Sequence, residues 1–226
     1  MKKISVSIII YFFLSISSFS HINHYNQFNY LEYELFRNNK LIGDHKFNFI
    51  RDGEKLTVKS EVNFRIKKLN VVLYNYHAVS EEIYKDSIFF SFKSKTKQNK
   101  KDKYVNVTVD DDNSKLLING SSYKGPTSLK SIMGTWWNHE IIQSSSQISA
   151  ISGRVIEQTV TFIGKEDIFI NDKEYKSLRF NIKSSDESLP DKKKLNTDIW
   201  YEEKTNLWLK ASFDKTGYWE YRVKNY

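Results

Sequence analysis

Apolar and polar residues alternate along most of this chain, and a period of two is the pattern of a β-strand with one buried face. In Tyr30–Arg37, the side chains of Leu31, Tyr33 and Leu35 fall on one face, and polar residues fall on the other. A similar alternating segment lies on the far side of Asp52-Gly53, a pair that favours the tight turn of a hairpin. The pattern therefore predicts consecutive antiparallel strands.

Alternating segments continue almost to the end of the chain. We expect strands over residues 30–37, 41–50, 56–65, 70–83, 87–97, 104–109, 155–163, 168–170, 175–182, 198–203, 207–213 and 218–223. Turn-forming residues separate many of them, among them Gly164-Lys165, and both prolines lie outside them. Because so many strands in one domain must protect their edges, we predict a mainly β fold, an antiparallel meander curled into a barrel or half-barrel.

One stretch, Gly125–Glu140, interrupts the alternation. Apolar residues between Leu129 and Met133 recur at helical spacing, and a second short helix is expected from Asn138 through Ile142. A short helical insert is therefore predicted near residues 127–143. Helices that follow a run of strands commonly plug or line the concave face of the sheet.

The candidate ligand-binding residues are Trp136, Trp137, Asn138 and His139, all in this insert. Adjacent tryptophans on an extended segment face opposite ways, so one is expected in the core and the other at a cavity or in solvent. In one interpretation these residues form the polar mouth of an apolar ligand cavity. In the other, the insert is a structural plug in which Asn138 caps the following helix. The two interpretations are compatible.

No motif in the sequence specifies a reaction. There is no Gly-x-Ser-x-Gly elbow, no cysteine, and no second histidine four residues after His139 to complete a helical zinc pattern. His45 and His77 fall within predicted strands, where we expect their ring nitrogens to be hydrogen-bonded. Most acidic residues alternate on outward faces, so no carboxylate pair of the glycosidase type stands out. We predict no catalytic residue, metal site or cofactor, and we regard an enzyme as the less favoured class.

The start of the chain has the layout of a secretory signal peptide. Two lysines precede an apolar run from Ile4 to Leu14, which is too short to span a membrane, and a serine-rich stretch follows. Small residues at Ser18 and Ser20 predict cleavage after Ser20. Residues 1–20 would then be the signal peptide and residues 21–226 a single β-rich domain. We expect a periplasmic or secreted protein that is not an integral membrane protein after signal removal.

Cysteine content and charge limit the classes of partner. Without cysteine the chain carries neither a disulfide nor the thioether lipid of bacterial lipoproteins. The formal net charge is +8, which could suit nucleic acid, anionic lipid or an acidic polymer. The lysines are scattered and accompany abundant Asn, Ile, Tyr and Phe, as in chains from AT-rich genomes. We therefore expect no nucleic-acid partner.

The segment Tyr33–His45 resembles the first hairpin of a family of exported bacterial proteins of unknown function, which reads Tyr-x-Val-x-Arg-Asn-Gly-x-x-Ile-Gly-x-His. The likeness extends over most of the mature chain, including Thr135–Asn138, Ser152–Arg154 and Asp198–Tyr201. Asn39 stands where glycine is usual, and asparagine tolerates positive φ. The family is distantly similar to periplasmic half-barrels that carry lipoproteins, in which a curved sheet holds acyl chains. The resemblance implies a fold and names no catalytic residue.

These observations favour an exported binding or carrier protein. Its ligand would be a lipid, an acyl chain or another apolar molecule, held against inward aromatic residues such as Phe47, Phe49 and Phe64. The first alternative is a cell-envelope interaction or scaffold protein without a small ligand, whose basic surface contacts anionic lipid or polymer. The second is a hydrolase of an envelope polymer.

Overall fold

Antiparallel β-strands make up most of the computed structural model, which describes residues 25–69 and 71–226. The predicted signal peptide, residues 1–20, lies outside the described residues. The strands are β1 (Tyr30–Arg37), β2 (Lys40–Asp52), β3 (Lys55–Lys68), β4 (Val71–Lys85), β5 (Ile88–Gln98), β6 (Lys101–Val109), β7 (Lys115–Gly120), β8 (Lys124–Ser128), β9 (Ile132–Met133), β10 (Ser146–Ile148), β11 (Val155–Ile170), β12 (Lys173–Ser184), β13 (Asn196–Glu202), β14 (Trp208–Asp214) and β15 (Tyr218–Asn225). Short 3-10 helices span His139–Gln143 and Asp191–Lys193.

The described strands form one sheet in the order β8-β7-β6-β5-β4-β3-β2-β1-β15-β14-β13-β12-β11-β10-β9. Strand β1 lies in the middle, because Leu35 is paired with Gly43 of β2 on one side and with Tyr221 of β15 on the other. The chain therefore runs outward from β1 to β8 and returns from β9 to β15. The sheet curls without closing, and the predicted mainly β, barrel-like architecture is confirmed.

Two local predictions were wrong. The helical turn expected between Leu129 and Met133 is replaced by β9, which pairs in parallel with β10 and buries Met133. Backbone pairing with β10 satisfies more hydrogen-bonding groups than a single helical turn would. The turn expected at Gly164 is also absent, because β11 runs through this position with a bulge and stays paired with β12. The helical part of the insert is the 3-10 helix after Asn138.

The larger of the two buried clusters forms where the insert between β8 and β11 enters the curl of the sheet. Here the buried side chains of Trp137 and Ile141 pack against residues from both halves of the sheet. We call this end, which carries the β2–β3 and β4–β5 turns, the closed end. The opposite end, with the β1–β2, β3–β4 and β14–β15 turns, is the open end.

Gly43 allows β2 and β3 to approach closely on the inner face. A Cβ at this position would lie 1.9 Å from the carbonyl oxygen of Asn63 and 2.5 Å from the Cβ of Phe64. We expect Gly43→Val to lower the free energy of unfolding by about 1–3 kcal/mol, because the two strands must separate. Urea denaturation measures this loss. Asp44→Val, on the opposite face of the same strand, is the control, and an equal loss in both variants would contradict the explanation.

Candidate functional site

The two adjacent tryptophans of the insert lie on opposite sides of it. Trp136 has a φ of 62°, a left-handed backbone conformation, and its ring contacts different residues from that of Trp137. Trp137 is fully buried and makes edge-to-face contacts with Tyr25, Phe49 and Tyr84. The Trp136 ring is half-buried and packs against aromatic residues of β14 and β15. One tryptophan therefore belongs to the core and the other to a pocket wall.

A buried carboxyl group, that of Glu82 in β4, holds the Trp137 side. Its Oε2 accepts hydrogen bonds from Trp137 Nε1 at 3.1 Å and from Thr135 Oγ1 at 3.2 Å, and its Oε1 accepts one from the Tyr84 hydroxyl at 2.5 Å. Desolvation by burial raises the pKa of Glu82 to about 7, against the lowering effect of these three hydrogen bonds. Glu82 thereby ties the insert to the sheet.

Asn138 and His139 are also buried and have structural partners. Asn138 Oδ1 accepts from the Glu140 backbone N–H at 3.0 Å and so caps the 3-10 helix. The His139 backbone N–H donates to the Tyr25 hydroxyl oxygen at 2.9 Å, and His139 Nδ1 lies 3.1 Å from the same oxygen. These contacts fix the helix against the start of the described chain.

The Trp136 side of the insert faces an open pocket of about 440 Å³. Its apolar wall is supplied by the insert, the start of β11, the β12–β13 loop and β14, which contribute Trp136, Ile151, Ile156, Leu195 and Phe213. The pocket thus combines segments that are far apart in sequence. It lies toward the open end, because β13 begins and β14 ends there.

Two cations line this pocket without an ion-pair partner among the described residues: Arg154 and Lys215. Lys194, a third cation of the lining, is paired with Asp191 at 3.3 Å. Desolvation lowers the pKa of Arg154, and desolvation followed by the nearby Arg154 charge lowers the pKa of Lys215. The pocket therefore presents two positive charges without an ion-pair partner beside an apolar wall, and Asp191 and Asp214 are its acidic lining residues.

A row of aromatic rings, half-buried except for the buried Tyr76, continues from the pocket across the concave face. Phe213 stacks on Trp219 with ring centroids 5.9 Å apart, Trp219 meets the Phe64 ring edge at 5.3 Å, and Phe64 stacks on Tyr76 at 4.6 Å. Phe64 is thus partly accessible, whereas Phe47 is buried in the core. The concave face is packed toward the closed end and less filled toward the open end.

The structure does not gather the four predicted binding residues at one place. Trp136 lines the pocket of about 440 Å³, and Asn138 lines a smaller one of about 260 Å³ on the other side of the insert. Trp137 and His139 are buried between them. Ligand binding by these residues stays a prediction, and the geometry supports it best for Trp136.

The strand histidines differ from each other. His77 Nε2 lies 3.0 Å from Glu61 Oε1, as expected for a hydrogen-bonded strand histidine. His45 departs from the expectation, because both of its ring nitrogens are buried without a hydrogen-bond partner among the described residues. Its ring lies between Tyr33 and Phe47, and desolvation lowers its pKa to about 3. His45 is therefore neutral at physiological pH.

Neither a group of metal ligands nor a membrane-crossing helix is found among the described residues. Among residues 25–69 and 71–226, no three His, Asp or Glu side chains are grouped so that they could hold a metal ion. In the same part of the chain, no helix has the length and apolar character needed to cross a membrane.

A known protein family matches most of this chain. The family described as "Domain of unknown function (DUF6134)" matches residues 33–224. The chain belongs to this family. The predicted membership of a domain-of-unknown-function family with a barrel-like fold is thereby confirmed. A search of curated proteins gave no match.

Solved structures support the fold of this DUF6134 protein. It is similar to a beta-barrel-like protein of domain of unknown function DUF1849 from Brucella abortus, with a TM-score of 0.59 and 13% identity over 87% of this chain and 94% of that chain. A DUF1329 family protein from Desulfovibrio piger aligns over 91% of this chain and 89% of that chain at 8% identity, with a TM-score of 0.20 that is too low to indicate a common fold. The first similarity supports the barrel-like architecture alone.

Proposed function

We propose that this DUF6134 protein is an exported protein that binds an amphiphile, a lipid or fatty acid, in the pocket beside Trp136. The observation that carries the proposal is the composition of this pocket, an apolar wall next to two unpaired cations. The signal-peptide pattern at residues 1–20 supports export to the periplasm or the medium.

The apolar wall suits the hydrocarbon part of such a ligand. The pocket, at about 440 Å³, falls within the roughly 300–1,000 Å³ of typical small-molecule sites. Each square ångström of apolar surface removed from water contributes about 25 cal/mol. Because aromatic rings continue the wall beyond Phe213, a chain longer than the pocket would still meet an apolar surface.

The two cations suit an anionic head group. Arg154 and Lys215 repel each other and are partly desolvated, and both costs decrease when an anion lies between them. Arg154 also donates a hydrogen bond to the Lys193 backbone oxygen at 2.9 Å, which fixes its side chain. A carboxylate or phosphate would then accept charge-assisted hydrogen bonds.

We expect Trp136→Ala to weaken palmitate binding about tenfold or more, because a large part of the apolar wall is removed. Native mass spectrometry and a palmitate titration measure this change. Phe162→Ala is the control, since the Phe162 ring is 54% exposed on β11 and does not line the pocket. Absence of any lipid adduct and of palmitate uptake in the wild-type protein would refute the proposal.

The head-group contact is tested with the double variant Arg154→Gln and Lys215→Gln. We expect it to weaken palmitate binding about tenfold and to leave binding of the uncharged C16 alcohol unchanged. Equal loss for both ligands would show that the two cations support the pocket wall and do not recognise the head group.

A further inference from the structure

The β3–β4 hairpin carries an exposed apolar tip, formed by Leu69, Val71, Val72 and Leu73. The exposed fractions of these side chains are 91%, 61%, 48% and 56% in that order. Single exposed apolar residues are ordinary on protein surfaces, but four within five positions at the end of one hairpin form a patch that indicates a binding partner.

The tip projects from the rim of the open end. The pairing between β4 and β5 begins at Tyr76, opposite Gln98, and Asn75 is bonded to the β5–β6 turn at Asn99. Residues 71–74 therefore extend beyond β5, by about 13 Å at the usual rise of a strand. On the other side, the β2–β3 pairing ends at Phe64, so the end of β3 also extends past its last paired residue.

The backbone gives a second, independent indication. Leu69 has a φ of 48°, a left-handed conformation that disfavours side chains other than glycine, asparagine and aspartate. The fold gains nothing from leucine at this position, because its side chain is almost fully exposed. Leucine is unfavourable here for two reasons, the left-handed backbone of the turn and the exposure of an apolar side chain to water. A contact between Leu69 and another molecule would explain its presence.

The surroundings of the tip are strongly basic. Lys67 and Lys68 precede it in β3. Lys40 and the exposed Leu41 share a groove with Lys67, which the acidic residue Asp44 also lines. The adjoining β5–β6 hairpin end adds Lys97, Lys100 and Lys101, together with one acidic residue, Asp102. An apolar tip with a basic collar matches the interface of an anionic bilayer, where the apolar side chains enter below the head groups and the lysines remain among the phosphates.

We propose that the open end of this protein docks on an anionic membrane surface, with Leu69, Val71, Val72 and Leu73 inserted and the surrounding lysines on the lipid phosphates. The contact is peripheral, because a hairpin tip reaches only the head-group and upper acyl region. The proposal is independent of the pocket, so Trp136→Ala is expected to leave membrane binding unchanged.

The test is flotation of the purified protein with vesicles of phosphatidylglycerol and phosphatidylcholine, and with vesicles of phosphatidylcholine alone. We expect binding to the anionic vesicles only, weakening as salt increases. Leu69→Asn is expected to weaken binding about tenfold, and it suits the turn because asparagine tolerates positive φ. The pair Lys67→Glu and Lys68→Glu is expected to weaken binding more than about tenfold.

The matched control is Ile88→Asn. Ile88 is 71% exposed beside the β4–β5 turn at the closed end, so this substitution also removes a largely exposed apolar side chain, but far from the tip. Wild-type protein that fails to float with anionic vesicles, or variants of the tip that float like the Ile88 variant, would overturn the proposal. So would a dimer in sedimentation that Leu69→Asn converts to a monomer, because a second copy of the chain would then be the partner.

Discussion

Trp137→Ala is expected to lower the free energy of unfolding by about 3–5 kcal/mol. The Trp137 ring is fully buried against three aromatic rings, and the insert cannot collapse into the cavity while β9 and β10 hold it in place. The substitution also deprives the buried carboxyl group of Glu82 of a hydrogen-bond donor. Urea denaturation followed by far-ultraviolet circular dichroism measures the loss.

Two variants separate the causes of this loss. Trp136→Ala removes the same type of side chain from the adjacent position, where the ring is only half-buried. It should therefore destabilise the protein less than Trp137→Ala does. Trp137→Phe keeps most of the ring and deletes the N–H, so its loss should be intermediate. Equal destabilisation by the two alanine variants would contradict the assignment of Trp137 alone to the core.

The strands were predictable because their signals are local. The alternation in Tyr30–Arg37 and the Asp52-Gly53 turn each specify their own segment, and β1 has the predicted bounds. The pairing of β1 with β15 was not predictable in this way, because it joins residues almost two hundred positions apart. Local pattern likewise failed for β9, where the partner strand decides between a helical turn and an extended segment.

The site was predictable only in part. The alternation of Trp136 and Trp137 correctly indicated that one of them leaves the core, although it did so through a positive φ and not through a strand. Arg154 and Lys215 carried no signal, since scattered basic residues do not reveal which of them converge. Glu82, in contrast, had a signal in the sequence, because it follows Glu81 within a strand. Adjacent strand residues face opposite sides of the sheet, so one of these two carboxyl groups had to face inward.

Glu82→Gln is expected to stabilise the protein at neutral and alkaline pH. Glu82 has a pKa of about 7 in the native protein, compared with its ordinary value of 4.5. Between these two pH values the unfolded chain has released the proton while the native protein still holds it, so the contribution of Glu82 to stability falls as the pH rises. Above pH 7 the accumulated loss corresponds to about 3 kcal/mol.

Glutamine imitates the protonated acid in this site. Its carbonyl oxygen can accept the hydrogen bonds that Trp137 and Thr135 donate to Glu82 Oε2. Its NH₂ group, in the place of Oε1, can donate to the Tyr84 hydroxyl oxygen, so that this hydroxyl changes from donor to acceptor. The stability difference between Glu82→Gln and the wild type should therefore be near zero below pH 4.5 and grow to about 3 kcal/mol above pH 7.

The free energies of unfolding of Glu82→Gln and of the wild type must be compared by urea denaturation at each pH, because the titration of His45 changes stability in the opposite direction. Its pKa is about 3 in the native protein, so the unfolded chain takes up a proton there as the pH falls below the ordinary value of 6.5, and stability is lost toward acid. This effect is common to both proteins and cancels. Glu81→Gln, on the outer face beside Lys93, controls for the loss of one carboxyl charge. A pH-independent difference would show that Glu82 is held as the carboxylate by its three donors, with burial of little consequence.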